Sequence, residues 1–189
     1  MKHHHFLLHK PHGYLSQFVY EKKRHKKLLG AIYDFPEGTM AIGRLDEDSE
    51  GLLLLTTDGM MSELVRSKTI EKEYYAQVDG IITPEAIAQL KKGVEIGFKG
   101  VRYVTKNCEA QILSQLPEFI GEGRKIRDER HGPTSWVSIT LTEGKFRQVR
   151  KMTAAVGFPT LRLVRIRVGN LTLQNLKAGE VLKLDQFEL

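Results

Sequence analysis

The chain has 189 residues, 41% hydrophobic and 28% charged, with a formal net charge of +6 and an isoelectric point near 9.4. These proportions are those of a soluble globular protein of one substantial domain, with room for two lobes, and the basic balance points to a polyanionic partner. No apolar run approaches the length of a transmembrane helix and no stretch resembles a signal peptide, while Cys108 is alone, which excludes an intrachain disulfide and a cysteine-built zinc site; a cytoplasmic protein is expected.

At the N-terminus, His3, His4 and His5 stand in a row without a cysteine or carboxylate beside them, so no metal site is assigned. Phe6-Leu7-Leu8 reads as a strand, ended by Lys10-Pro11 and turned at Gly13. A basic run, Lys22-Lys23-Arg24-His25-Lys26-Lys27, follows. Such clusters suit counterion release from a phosphate backbone, although a solvated face has the same composition.

The stretch Met40–Gly59, MAIGRLDEDSEGLLLLTTDG, organises the chain. Met40-Ala41-Ile42 is a short apolar run, and Leu52-Leu53-Leu54-Leu55, bounded by Gly51 and by Thr-Thr-Asp-Gly, reads as a strand buried on both faces. Between them hangs a loop dense in charge, with Arg44, Asp46, Glu47, Asp48 and Glu50. Asp46, Asp48 and Ser49 are residues that build turns by bonding nearby backbone, and they are also positioned for chemistry on a short loop between strands. A calcium loop does not fit. Counted from Asp46 the sixth residue is the required glycine, Gly51, but the twelfth is Thr57 and not a glutamate.

Met60 to Arg66 reads as a helix packing Met61, Leu64 and Val65 inward. Lys72 to Gly80 reads as a strand closed by a turn, and its adjacent Tyr74 and Tyr75 must face opposite sides. Thr83-Pro84-Glu85 opens the clearest helix, with Thr83 as N-cap, an apolar face of Ala86, Ile87 and Leu90, and a stop at Gly93. Val101 to Leu113 holds one or two strands. Pro117 to Pro133 has no periodicity and reads as a long loop, whose Arg124, Lys125, Arg127 and Arg130 either reach a polyanion or are solvated.

Trp136 to Leu141 alternates as a half-buried strand and turns at Thr142–Lys145. Phe146, Val149, Met152 and Val156 make a helical stripe, with Arg147, Arg150 and Lys151 off it. Leu161 to Gly169 reads as a strand with a core face and a cationic face. From Gly144 to Asn170 there are seven Lys or Arg residues and no Asp or Glu.

Four of these strings together resemble the pseudouridine synthases of the RsuA and RluA type. Leu8, Lys10, Pro11 and Gly13 match the family's L-x-K-P-x-G. Gly43-Arg44-Leu45-Asp46, Ser49 and Gly51 match the motif that carries its catalytic aspartate. Lys72-Glu73-Tyr74 matches its K-x-Y, and EGKFRQVRKM at Glu143–Met152 its third motif. The resemblance implies an α+β catalytic fold with a central mixed, mainly antiparallel sheet, and two subdomains around an active-site cleft. One catalytic domain is expected over residues 1–189, with no boundary assigned between subdomains, and the few residues before Leu8 are too short for the S4-type domain that many relatives carry.

The implied reaction isomerises uridine to pseudouridine in ribosomal RNA, in 23S RNA or a pre-ribosomal particle, by a monomer that needs no metal or cofactor. Asp46 would be the catalytic carboxylate, as nucleophile at the sugar or base at C2′. Arg150 would pair with it and hold it ionised, and Tyr74 would stand against the uracil. Arg44 would fill the gap left by the flipped base or clamp a phosphate, with Lys10, Lys145, Arg147, Lys151, Arg162 and Arg165 as further RNA contacts. A glycoside hydrolase and a non-catalytic RNA-binding module are the two rival readings of the same residues.

Overall fold

The computed structural model describes residues 3–20, 25–67, 69–121 and 126–188. The chain divides into two compact units, Met1–Ile70 with Arg165–Leu189, and Glu71–Val164. Both are built on antiparallel strand pairs, in the α+β architecture expected from the sequence, a mixed, mainly antiparallel sheet flanked by helices.

The first unit opens with β1 (His5–Lys10), continues through β2 (Met40–Ile42) and β3 (Glu50–Thr56), and reaches helix α1 (Gly59–Ser67). β3 is buried at every position. It pairs antiparallel with β1 from Lys10↔Gly51 to His5↔Thr56, and with β2 from Ile42↔Leu54 to Met40↔Thr56. Leu52 to Leu55 have almost no solvent exposure, and each fully buried leucine contributes about 2 kcal/mol. That explains why a run with no polar alternation is a strand here. Asp58 starts α1, its carboxylate accepting from the Met60 and Met61 N–H groups at 2.9 and 3.2 Å. The inward face of α1 is set by Ser62 and Val65. Leu64, expected inside, is exposed, because it lies about 100° around the helix from Val65.

In the second unit, β4 (Lys72–Asp79) leads to α2 (Pro84–Lys92), the hairpin β5 (Glu95–Phe98) and β6 (Val101–Val104), and β7 (Glu109–Leu113). A short helix α3 (Glu118–Gly121) precedes β8 (Thr134–Leu141), α4 (Gln148–Ala155) and β9 (Thr160–Val168), which runs on into the first unit. Strand order is β9-β4-β8-β7, with β5–β6 as a separate two-stranded sheet. α2 is capped as expected: the Thr83 side chain accepts from Ala86 N–H at 3.2 Å, and Gly93 closes the helix with φ 93°. Its core joins Leu90 and Ala86 to Val78, Val137, Ile139, Val149, Met152 and Leu163.

Three further expectations are corrected. α4 starts two residues later than the apolar stripe implies, so Phe146 lies before it and is exposed. The segment 117–133 contains α3 and a 3-10 turn at Glu129–His131. The arginines of β9 do not form one cationic face: Arg162 lies on the opposite side from Arg165 and Arg167, and Arg162 and Arg165 are buried while Arg167 is partly exposed. The chain ends in the first unit with β10 (Leu171–Thr172) on β9 and β11 (Val181–Leu184) on β1.

Candidate active site

Residues 43–49 form the loop between β2 and β3, and its residues divide by burial. Leu45 and Ser49 are buried, as is Glu50 where β3 begins, whereas Arg44 is exposed and Asp46 half-buried. Apolar and hydrogen-bonding anchors therefore fix the loop, while the Arg44 guanidinium is exposed and the carboxylates of Asp46, Glu47 and Asp48 are all half-buried, Glu47 being tied to Lys26.

The turn after β1 supplies the anchors. The Gly13 N–H donates to the Glu47 carbonyl at 2.8 Å. The Ser16 hydroxyl donates to the Leu45 carbonyl at 2.7 Å and accepts from the Leu45 N–H at 2.9 Å. Lys26 Nζ donates to both Glu47 carboxylate oxygens, at 2.7 and 2.9 Å. Within the loop the Ser49 N–H donates to the Asp46 carbonyl at 3.0 Å. Asp46 thus sits on backbone held at the residues on both sides.

Lys10 lies inside this assembly with no solvent exposure. Its ammonium donates to the Pro11 and Tyr14 carbonyls at 2.9 and 2.8 Å. Burial pushes it down to about 8, against the opposing pull of Glu50, Asp48, Asp46 and Glu47. It is an internal counter-charge for an acidic loop, and its expected role as an RNA contact is corrected on that ground. Arg165 is also turned inward, its Nε–H donating to the Leu52 carbonyl at 2.8 Å. Beside it Gly51, with φ 106°, leaves no room for a side chain: a Cβ would come 2.2 Å from the Arg165 carbonyl oxygen.

In the second unit Tyr74 stands on β4 opposite Ile139, half-buried and packed on the core. Tyr75 projects from the other face opposite Ser138, where burial first and Glu73 second push its hydroxyl up. Lys145, Arg147, Arg150 and Lys151 come together on the turn before α4 and on its first turns, all at intermediate exposure. Arg147 occupies the N-cap with φ 52°, a left-handed conformation. Arg162 is not among these: its Nη1 donates to the Ile120 carbonyl at 2.8 Å and its guanidinium lies 5.8 Å from the Trp136 ring centre. This second buried arginine is likewise corrected from RNA contact to internal tie.

Sequence reasoning missed the residues that hold these groups. Ser16 carries no pattern beyond a serine near a turn. Glu143 accepts from the Tyr103 hydroxyl, the Lys106 N–H at 2.9 Å and the Gln148 amide at 2.6 Å. Burial would raise its carboxyl, but these bonds outweigh it and hold it below the usual range. Of the cations proposed for RNA, Lys22, Lys23, Arg24, Arg124 and Lys125 lie outside the described residues. Among the described residues no group of His, Cys, Asp or Glu is arranged for a metal ion, and no helix is long and apolar enough to cross a membrane.

The model of a family described as RNA pseudouridylate synthase matches residues 4–155. The chain is 38% identical over 172 residues to ribosomal large subunit pseudouridine synthase E of Xanthomonas axonopodis pv. citri, covering 90% of this chain and 88% of that protein. It is 40% identical over 176 residues to the protein of the same name from Vibrio vulnificus, covering 92% and 72%. A crystal structure of a pseudouridylate synthase superposes with TM-score 0.75 at 27% identity, covering 96% of this chain and 70% of the other. A Cbf5-Nop10-Gar1 complex, at TM-score 0.53 and 19% identity over 89% of this chain and 50% of that one, shares the fold alone.

Proposed function

This chain belongs to the RNA pseudouridylate synthase family, and from that premise we propose that it isomerises a uridine of large-subunit ribosomal RNA with Asp46 as the catalytic carboxylate. The observation that carries the assignment is the half-exposed Asp46 on a loop whose backbone is bonded on both sides of it. A preorganised carboxylate costs little further reorganisation when the reaction begins.

The reaction breaks the N1–C1′ bond of uridine, turns the uracil and joins C5 to C1′, after which C5 loses its proton and N1 gains one. It is a net isomerisation. Asp46 can take part as a nucleophile at the sugar or as a base at C2′, and both need it ionised. Tyr74 is assigned to the uracil, with a hydroxyl able to move the C5 proton, and Arg150 to keeping the carboxylate charged. Arg44, exposed two residues before Asp46, is assigned to the space or phosphate left when the uridine leaves its stack, a step that costs roughly a few kcal/mol. Lys145, Arg147 and Lys151 are assigned to the RNA backbone.

Ribosomal RNA of the large subunit is proposed because the relatives from Xanthomonas and Vibrio carry that target in their names. The protein is taken to act in the cytoplasm as a monomer. Family membership sets aside the glycosidase and the non-catalytic module. The test is to map pseudouridine in ribosomal RNA from cells with and without the gene, and to restore it with purified protein. Loss and recovery at one large-subunit uridine is the expected result; an unchanged map would overturn the target.

A further inference from the structure

The β5–β6 hairpin has no part in the reaction just described. Phe98 pairs with Val101, so its loop is only Lys99 and Gly100, with φ 50° and 78°. Positive φ at both loop residues is the type I′ pattern, where Asn-Gly fits best and a lysine is held against its preference. Among the described residues three non-glycines have positive φ, Lys99, Arg147 and Gln174. Two of these are cations: Lys99 at the hairpin tip and Arg147 at the start of α4, which packs on β5.

The hairpin is firmly tied. Lys151 Nζ donates to the Gly97 carbonyl at 2.8 Å, and the Tyr103 hydroxyl donates to Glu143. Cations and rings interleave across it. Lys145 Nζ lies 5.1 Å from the Phe98 ring centre and 5.0 Å from that of Tyr103, Lys99 Nζ 5.5 Å from Phe98, and Lys151 Nζ 5.5 Å from Phe146. Phe146 is 66% exposed. The nearby carboxylates are already engaged, Glu95 with Arg102 at 3.3 Å and Glu143 in its own network. The surface left over is aromatic and positive, the composition on which unpaired nucleotides stack while their phosphates are neutralised.

We infer that the β5–β6 hairpin extends the RNA surface of the Lys145–Lys151 segment, stacking an unpaired base outside the reacting uridine on Phe146 and adding Lys99 to the phosphate contacts of Lys145 and Lys151. This rests on the reading of the protein as an RNA-modifying enzyme. It adds a recognition element to Asp46 chemistry, one that discriminates RNAs by an unpaired nucleotide beside the target.

The probe is a single-stranded oligoadenylate, which has no uridine to react. The native chain has one tryptophan, so wild type is the control for Phe146→Trp, whose introduced indole should be quenched by the oligonucleotide well beyond the wild-type change. Phe146→Ala should bind roughly five- to a hundredfold more weakly. Lys99→Asn suits the turn, so it should keep or raise Tm while lowering the slope of log K against log salt by about 0.7. Equal affinity for wild type and Phe146→Ala, or an unquenched indole, would overturn the surface. Pseudouridine formation by wild type, assayed in parallel on ribosomal RNA, reports separately on the enzymatic reading. Its failure would sink that reading and leave the stacking measurement to decide the surface alone.

Discussion

The Ser16 hydroxyl and the backbone of Leu45 exchange two hydrogen bonds, 2.7 Å to the carbonyl and 2.9 Å from the N–H. Leu45 is buried and directly precedes Asp46, so a side chain 29 positions earlier holds the backbone that leads into the proposed catalytic carboxylate. Ser16→Ala should leave two buried backbone groups without that partner and cost about 1–3 kcal/mol of stability. As Ser16 would act only by positioning, kcat should fall while KM for RNA stays near the wild-type value. A variant that folds and loses affinity while keeping kcat would contradict this.

Gly51 and Gly43 both have positive φ, 106° and 70°, but differ in surroundings. A Cβ on Gly51 would strike the Arg165 backbone, while one on Gly43 would meet nothing within 4 Å. Gly51→Ala should therefore cost about 3 kcal/mol or more, since backbone on both sides must move. Gly43→Ala should cost only the left-handed penalty, about 1–2 kcal/mol. Urea denaturation of the two variants checks it, and equal losses would show that the close approach of Gly51 to Arg165 is not a constraint.

Those glycines mark the limits of what the sequence discloses. β3 was legible because four leucines between Gly51 and a Thr-Thr-Asp-Gly turn leave no other economical element, and α2 because Thr83, Pro84 and Gly93 each have a local job. Asp46, Tyr74 and Arg150 stood out through motif strings. Whether a basic residue faces water was not legible: Lys10, Arg162 and Arg165 read as RNA contacts, yet each donates to main-chain carbonyls inside the fold. Charge is written in the sequence, whereas burial depends on strands far apart in it. β5 escaped notice because Glu95–Phe98 is four residues long and contains a glycine, and it is defined mainly by pairing with β6. Phe146 was misassigned because helical spacing alone does not show where a helix begins.

Lys10 gives a pH dependence whose sign is fixed. Its folded-state value, about 8, lies below the ordinary 10.5. Below pH 8 the lysine is charged in both states and the full cost of burying the charge is present. Between 8 and 10.5 the unfolded chain holds more protons at this site, so the site's contribution to stability rises with pH. The shift corresponds to about 3 kcal/mol. Wild type should gain up to about that much over Lys10→Met between pH 7.5 and 10.5, with the other titrating groups cancelling in the difference. Parallel stability curves would mean that Lys10 is not held as a buried ammonium.

The central claim concerns Asp46, and single-turnover pseudouridine formation by Asp46→Asn tests it most directly. Asparagine keeps the size and polarity of the side chain but is neither nucleophile nor base. With enzyme in excess over a large-subunit ribosomal RNA fragment that wild type converts, the variant should bind the RNA with unchanged affinity and form no pseudouridine above background. Appreciable conversion by Asp46→Asn in a single turnover would contradict the assignment.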